Sequence, residues 1–297
     1  MNQIRAEKKY KIYLIIAIPF LFYAFFVLVP LIIGIYNSFF NWKGGPTKTF
    51  IGFGNYVRMF KDRHWHQAVR NNFQAMLVAL IGMTGFGYIF ALLLNTKFMG
   101  KTRKVYRFII FLPVILSGVV VGYIFSMILN QNPGLLNIML EKLGLESLQQ
   151  VWLGDKKIAM WSVSFIMVWQ GIGMHVVIYL ASLQNIPQDV LDASLIDGCT
   201  GIKQAVYVIT PMMKGTIVVS ITLSITSAMK MFEYIYITTK GSPGGATYVM
   251  TYYTYQTAFE KLMYLGYSCA LVVTSILICV ALVAVVKRVL GGQRVKF

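Results

Sequence analysis

GYSCALVVTSILICVALVAVV, residues Gly266 to Val286, is a stretch without a single charged side chain. A helix rises about 1.5 Å per residue, so a run of this length crosses a hydrocarbon core about 30 Å thick. The core of a bilayer offers backbone groups no hydrogen-bond partners, and such a run must therefore be helical. The sequence predicts a transmembrane helix here.

Similar apolar runs recur along the 297 residues, of which 57% are hydrophobic and only 12% are charged. Soluble domains average about 25% charged residues. The pattern predicts an all-α polytopic membrane protein, folded as one transmembrane domain over residues 1–297. The six predicted spans are Tyr13 to Tyr36, Phe73 to Leu94, Phe108 to Leu129, Ala159 to Leu183, Thr216 to Thr238 and Gly266 to Val286. The first run exceeds a signal-peptide core and no small-residue cleavage site follows it, so we expect it to be retained.

The net charge of +17 is explained by a membrane topology and does not indicate nucleic-acid binding. Basic residues favour the cytoplasmic side of a membrane. With both termini cytoplasmic, the inner tails and loops hold more Lys and Arg than the outer loops. The first outer loop runs against this bias with six basic residues: Lys43, Lys48, Arg58, Lys61, Arg63 and Arg70.

Known catalytic patterns are missing from the sequence. It contains no phosphate-binding G-x-x-x-x-G-K-[ST] motif, no HExxH and no G-x-S-x-G. The three cysteines, Cys199, Cys269 and Cys279, form no pair in an outer loop, which argues against disulfides and metal sites. We therefore predict no enzyme activity, no catalytic residue, no metal and no cofactor.

The connector Gln184 to Lys214, between the fourth and fifth spans, is polar and interrupted by glycines. Pro187 suits the first turn of a helix, which predicts a short helix over Gln188 to Ile196. Gly198 follows as a residue able to take a positive φ at the helix end.

A second short helix is predicted after this turn. Thr200 is a suitable N-cap, the helix runs towards Ile209, and Pro211 closes it. Helix, turn and helix on the cytoplasmic side suit docking into a groove of another protein. Shape alone leaves a simple turn as an equal alternative.

The segment LDASLIDGCTGIKQAVYVITP resembles the loop of the membrane subunits of binding-protein-dependent ABC importers. That loop reads Glu-Ala-Ala, two residues, Asp-Gly-Ala, and a proline twelve positions later. The matching residues here are Asp192, Ala193, Ser194, Asp197, Gly198, Cys199 and Pro211. The resemblance implies a coupling helix that sits in a cleft of a cytoplasmic ATPase subunit.

The resemblance also implies separate roles within this loop. Asp192 contacts the ATPase, Gly198 allows the bend and Asp197 braces it. Asp192 is one methylene shorter than the usual glutamate, and Ser194 and Cys199 replace alanines. Ala205 stands where a phenylalanine is usual, so the anchoring of the second helix is open.

A second resemblance, to the carbohydrate branch of these importers, covers nearly the whole chain. It rests on Phe232-Glu233, Thr239 to Pro243, Ala258-Phe259, Ile51 to Asp62 and Gly134 to Asn137. It implies one of two homologous permease subunits in a bacterial plasma membrane. The implied partners are the second permease, two ATPase subunits, an extracytoplasmic substrate-binding protein and a sugar.

Two ionisable side chains lie within the fifth span. A charged group near the bilayer centre costs at least about 2.5 kcal/mol and normally faces protein or water. Lys230 and Glu233 are three residues apart, so on one helix they can pair. Two interpretations stay open: the pair holds helices together or reaches the outer interface, or, with neighbouring Tyr234, it lines the path of the substrate.

The fourth span carries further polar candidates. Trp169 and Gln170 are the residue types that bind sugars, through an aromatic face and an amide. Helix packing beside Gly171 and Gly173 is the alternative, and His175 is expected to be a satisfied polar group. A sugar-related substrate such as glycerol phosphate fits the same architecture. A self-sufficient secondary carrier is a further alternative.

Overall fold

The computed structural model describes residues 15–96, 100, 102–130, 134–260 and 263–291. Short strands β1 (Phe40–Asn41) and β2 (Thr49–Phe50) pair antiparallel, with Phe40 opposite Phe50. All other regular elements of the described chain are helical. Numbered in chain order, the helices are α1 Ile15–Asn37, α2 Gly54–Lys61, α3 Arg63–Asn95, α4 Arg103–Ile115, α5 Gly118–Ile128, α6 Leu135–Lys142, α7 Ala159–Leu183, α8 Gln188–Ile196, α9 202–212, α10 Lys214–Met229, α11 Glu233–Thr238, α12 Met250–Tyr255 and α13 Leu265–Leu290.

The predicted membrane architecture is confirmed. In the described chain, α1, α3, α7, α13 and the segment Lys214–Thr238 are long and apolar enough to cross a bilayer. The pair α4 and α5 brings the number to six if the two count as one span. The predicted start at Tyr13 lies outside the described residues. The second span begins earlier than predicted, because its helix starts at Arg63.

The third span is not the continuous helix that we expected. Helices α4 and α5 are bent by 98° at a break over Leu116 and Ser117. Pro113 lies in the last turn of α4, where its ring disturbs the helical hydrogen bonding. The hydroxyl of Ser117 then caps the new helix by accepting the N–H of Val120 at 3.3 Å.

The fifth span is also interrupted, over Lys230 to Phe232. Helix α10 ends with the N–H of Lys230 donating to the carbonyl of Thr226 at 3.0 Å, and α11 begins at Glu233. The two ionisable residues therefore lie on opposite sides of a break. They form no ion pair with any residue that the structure describes, so the pairing that one continuous helix would have allowed does not occur there.

The chain divides into two compact units. The first contains residues 1–62 and 254–274, and in it α2 rests on the end of α1. The buried amide of Asn55 donates to the carbonyls of Ser38 at 2.8 Å and Phe40 at 2.9 Å. This polar anchor fixes the loop after α1 next to that membrane span.

Several basic residues of this loop lie over aromatic rings. The guanidinium of Arg58 is 4.5 Å from the ring centroids of both Tyr264 and Tyr267. The ammonium of Lys48 is 4.6 Å from the centroid of Tyr36, and that of Lys43 is 5.0 Å from Tyr264. Cation–π contacts of this kind stabilise a positive charge, which gives part of the unusual charge of this loop a structural role.

The second unit contains residues 63–253 and 275–297. Glycines allow its helices to approach closely, since a Cβ on Gly173 would meet the backbone of Ile110 and Phe111. Hydrogen bonds also join the spans. His175 is buried and its Nδ1 lies 2.6 Å from the hydroxyl of Ser220, so its expected role as a satisfied polar group is confirmed.

Buried Asn72 of α3 joins two other segments of this unit. Its amide donates to the carbonyl of Ala228 near the end of α10 at 2.7 Å, and its Oδ1 accepts the N–H of Met250 at 2.7 Å. Helix ends leave carbonyls without partners in the helix itself. Asn72 supplies one such partner where the fifth span breaks.

We predict that Asn72→Leu destabilises the protein by about 2 kcal/mol, because the N–H of Met250 loses its bond to Asn72 and the carbonyl of Ala228 keeps only backbone donors, with the N–H of Met231 at 3.5 Å. Thermal unfolding of the purified protein in nanodiscs measures this. Gln74→Met is the matched control, since the buried amide nitrogen of Gln74 has no partner among the described residues. Equal loss of stability in both variants would contradict the role assigned to Asn72.

Candidate functional site

A cavity of about 340 Å³ lies beside the break in the fifth span, within the second unit. Side chains from four membrane-spanning segments surround it. The lining residues are Met83, Val114, Met167, Gln170, Gly171, Ser227, Lys230, Met231, Phe232, Glu233 and Tyr234. Of the predicted path residues, the structure brings together Gln170, Lys230, Glu233 and Tyr234.

Gln170 of α7 forms hydrogen bonds to two other segments of the cavity wall. Its Nε2 donates to the carbonyl of Leu116, at the break between α4 and α5, at 2.7 Å. Its Oε1 accepts the hydroxyl of Tyr234 at 2.6 Å. The amide thus both donates and accepts a hydrogen bond within the chain, and Gln170 therefore positions the cavity wall.

The carboxylate of Glu233 lies at the N-terminus of α5. One of its oxygens occupies the space that a Cβ on Gly118 would need. One turn further along α5, the missing side chain of Gly122 likewise leaves space for the side chain of Ile237. The positive end of a helix is a favourable position for a carboxylate, and Glu233 takes this position without a contact to the lysine.

The other lining groups differ in chemistry. Lys230 is exposed to the cavity and has no ion pair among the described residues. The ring of Phe232 lines the cavity and stacks on Tyr236, with centroids 5.3 Å apart. An ammonium, a carboxylate and aromatic rings can bind a polyhydroxylated ligand through its hydroxyls and its C–H faces.

Trp169 lies elsewhere, although it precedes Gln170 in sequence. Its ring contacts Phe125 edge-on, at 5.1 Å between centroids, and it is 37% exposed. Adjacent residues on a helix face different directions. The aromatic side chains that line the cavity are Phe232 and Tyr234, and the sequence indicated Phe232 only as part of a family motif.

The second candidate element is the loop that contains α8. The helix ends in a turn in which Gly198 takes φ +75°. The N–H of Cys199 donates to the carbonyl of Ser194 at 2.8 Å, and that of Gly198 to Leu195 at 3.1 Å. This is a Schellman motif, which needs a left-handed residue at the glycine position. The carboxylate of Asp197 is exposed and has no partner among the described residues, so the backbone, not this side chain, fixes the bend.

The second part of the loop differs from the prediction. Its helix begins at Ile202 after Gly201, rather than being capped by Thr200. It contains a π-helical turn over Ala205–Ile209, and Pro211 lies in its continuation instead of closing it. Proline is tolerated there because a π turn already replaces the regular hydrogen bonds.

A side-chain link joins the two helices of this loop. Gln204, next to Ala205, donates from Nε2 to the carbonyl of Leu191 at 3.1 Å and to the hydroxyl of Ser194 at 2.8 Å. Ser194 in turn donates to Leu191 at 2.6 Å. The residue that departs from the family's alanine is thus the one that ties the two helices together.

Large apolar side chains of this loop are exposed. Ile196 is 88% and Ile202 is 82% exposed, and Tyr207 is also open. Asp192 is exposed on α8, where its Oδ1 accepts a hydrogen bond from Gln188 at 2.9 Å. Exposed apolar groups beside a carboxylate are typical of a surface that contacts another protein.

The family model for the inner membrane component of binding-protein-dependent transport systems matches residues 84–291. The chain belongs to this family. It is 35% identical to a probable ABC transporter permease, YurN, of Bacillus subtilis, over 89% of this chain and 91% of that protein. The chain is therefore an inner-membrane ABC transporter permease and not itself an enzyme.

Further relatives of this permease carry substrate names. The diacetylchitobiose uptake system permease NgcF of Streptomyces coelicolor is 29% identical over 93% of this chain and 82% of that protein. The arabinooligosaccharides transport permease AraP of Bacillus subtilis is 29% identical over 93% of this chain and 89% of that one. The fold matches a bacterial ABC transporter that imports alginate, with a TM-score of 0.83, 20% identity and 95% of both chains covered.

We predict that Gln204→Leu loosens the permease loop, because both bonds from Gln204 to the first helix are lost. Hydrogen exchange of the backbone should become roughly tenfold faster over residues 191–204. Gln188→Leu is the control, because it removes a side-chain amide whose bond to Asp192 stays within one exposed helix. Similar exchange in both variants would contradict the link.

Proposed function

We propose that this permease is one membrane subunit of an ABC sugar importer and forms half of the translocation path. The observation that carries the proposal is the 340 Å³ cavity with charged, amide and aromatic groups, beside the 98° bend in the third span and the interruption over Lys230 to Phe232 in the fifth. The names of NgcF and AraP, relatives over most of the chain, support a carbohydrate as the substrate.

The other subunits follow from the family. A permease of this kind acts with an ATPase and a substrate-binding protein. We infer a second homologous permease, two cytoplasmic ATPase subunits and an extracytoplasmic binding protein, as the sequence resemblance implies. Membership of the ABC family argues against the self-sufficient carrier.

The loop 184–214 is proposed as the coupling element, on the cytoplasmic side together with both termini. Asp192 and the exposed apolar residues beside it contact the ATPase, and Gly198 holds the bend. ATP-driven closure of the ATPase subunits moves this loop. The spans then exchange an inward-facing for an outward-facing state, whose population is set by differential binding.

In the substrate path, Lys230 and Glu233 are proposed to bind sugar hydroxyls directly. Gln170 and Tyr234 keep the wall in place through their mutual hydrogen bond. Glu233 and Lys230 are the only charged residues among those that line the cavity. The kind of sugar depends on the binding protein, and glycerol phosphate remains compatible with the same cavity.

We predict that Gly198→Pro and Asp192→Lys each abolish transport while the protein stays in the membrane. Proline cannot adopt the positive φ of Gly198 and removes its N–H bond to Leu195. Uptake of labelled sugar by cells and the amount of permease in membranes are measured together. Asp155→Lys is the control, a charge reversal at the other end of α7. Transport that survives both loop substitutions would show that the loop is not the coupling element.

We predict that Lys230→Met and Glu233→Gln each lower uptake roughly tenfold or more, because each removes a charge-assisted hydrogen bond to the substrate. ATP hydrolysis by the purified complex without substrate should persist. Trp169→Leu is the matched control, since its ring lies outside the cavity. A larger loss from Trp169→Leu than from the charged pair would reject this path.

A further inference from the structure

An apolar cavity of about 440 Å³ lies between α1 and α13, within the first unit. The segment from Thr254 to Phe259 forms a third wall. Trp42 lines the cavity at the start of α13, where its carbonyl accepts the N–H of Gly266 at 2.9 Å. The other lining residues include Pro30, Leu31, Gly34, Leu265, Val272 and Val273. The described lining contains no charged residue, and none of it belongs to the 340 Å³ cavity of the second unit.

Two polar groups of the lining bond to the chain itself. The hydroxyl of Ser268 donates to the carbonyl of Tyr264 at 3.0 Å. The indole N–H of Trp42 donates to the carbonyl of Gly45 at 3.0 Å. Water in a cavity needs several polar partners, whereas apolar walls suit an apolar ligand. The chemistry of these walls therefore favours a hydrocarbon.

The depth of the cavity corresponds to one leaflet of a bilayer. Its lining follows α13 from Leu265 to Val273, a rise of about 12 Å. One leaflet supplies about half of a hydrocarbon core that is about 30 Å thick. Helix α13 continues to Leu290, well beyond the lining. An acyl chain of one leaflet fits this depth, whereas a membrane-spanning helix of another subunit would need a groove along most of α13.

Two cations lie at the end of the cavity where α13 begins. The ammonium of Lys43 and the guanidinium of Arg58 are 5.0 Å and 4.5 Å from the ring centroid of Tyr264, the residue before α13. Neither cation forms an ion pair with any residue in the described part of the chain. Asp62 accepts the hydroxyl of Tyr267 at 2.6 Å and is not paired with Arg58. Two like charges beside one ring repel each other, so an anion next to both is favoured.

The ring contacts leave the donors of these cations available. The guanidinium of Arg58 lies over both Tyr264 and Tyr267. Stacking uses the face of a guanidinium, whereas its N–H groups point outwards in its plane. The ammonium of Lys43 carries three donors. Both side chains are exposed, and such donors bind phosphate oxygens through charge-assisted hydrogen bonds.

We propose that this cavity binds an anionic phospholipid of the leaflet that surrounds the start of α13. One acyl chain fills the space between α1 and α13, and the phosphate bonds to Lys43 and Arg58. Trp42 lies between the two parts of the lipid, at the level where such rings meet the membrane interface. Anionic headgroups attract basic residues beside a membrane span, which explains two of the six basic residues that run against the charge bias. The site goes beyond the proposed transport function and does not depend on the solute.

The test uses the permease in the complex in which it is isolated from membranes. Nanodiscs of phosphatidylcholine contain a small fraction of phosphatidylglycerol with a photoreactive diazirine in one acyl chain. Mass spectrometry maps the cross-linked peptides. In the wild type, we expect labelling of residues 30–34 and 265–273. Phosphatidylcholine with the same diazirine chain should label these peptides roughly tenfold less, because it has no net negative charge.

The acyl-chain part is tested by Gly34→Leu. A Cβ on Gly34 meets no atom within 4 Å, so the leucine side chain extends into the cavity without a clash. Labelling of the lining peptides should fall roughly tenfold, because the leucine occupies the place of several lipid CH₂ groups. Gly215→Leu is the matched control, since Gly215 is another helical glycine with no atom within 4 Å and lies outside the lining. It should label like the wild type.

The headgroup part is tested by Lys43→Gln/Arg58→Gln. The ratio of phosphatidylglycerol to phosphatidylcholine labelling should fall roughly tenfold, to near one. The control Lys156→Gln/Lys157→Gln removes two exposed lysines from another loop and should keep the wild-type ratio. The two lipids are compared within each variant, so a general loss of stability does not change the ratio.

Three results would overturn the lipid site. Equal labelling of the lining by both lipids in the wild type would reject the headgroup contact. Lining peptides that stay unlabelled while other membrane-exposed peptides are labelled would assign the cavity to a protein partner, and labelling that persists in Gly34→Leu would place the acyl chain elsewhere. Excess glycerol 3-phosphate should not displace the probe, and displacement would indicate a site for a free phosphate instead. None of these measurements depends on sugar uptake.

Discussion

The architecture depends on how backbone groups find hydrogen-bond partners where membrane helices break. A bilayer supplies none, and each unpaired group costs several kcal/mol. At the first break, the amide of Gln170 bonds to the carbonyl of Leu116. At the second, Asn72 bonds to the carbonyl of Ala228. Two side-chain amides thereby make possible an interruption that would otherwise be unfavourable, and the cavity lies beside these interruptions.

This dependence explains what the sequence could and could not predict. Hydropathy depends only on composition over a window, so the helical membrane class followed from it directly. The breaks depend on contacts between distant residues, and no local pattern specifies them. Pro113 is a local signal, but the break over Lys230 to Phe232 contains neither proline nor glycine. The sequence therefore predicted several residues of the cavity, but it did not predict that the cavity lies at the helix breaks.

Among these candidate residues, the energetic cost of a charge in the membrane predicted the cavity lining better than residue type did. Lys230 and Glu233 were indicated because an ionisable group in a membrane span is energetically costly and normally faces protein or water. Both residues line the cavity. Trp169 was indicated by residue type alone, and residue type does not determine the direction of a side chain. In the proposed coupling loop, the first helix was predicted correctly, because Gly198 and its cap pattern are local signals. Its second helix was not, because the link through Gln204 joins residues ten or more positions apart.

The link between Gln204 and Ser194 has a mechanical consequence. A loop joined only through its glycines would have high compliance, and a displacement at one helix would be absorbed by rotation at the turn. With Gln204 bonded across the turn and the Schellman hydrogen bonds closing it, residues 188 to 204 can move as one stiff body. In the coupling role proposed for this loop, a displacement near Ile196 reaches α9 through these hydrogen bonds as well as through the backbone. The proposed stroke at the membrane helices then depends on the geometry of the loop more than on its elasticity.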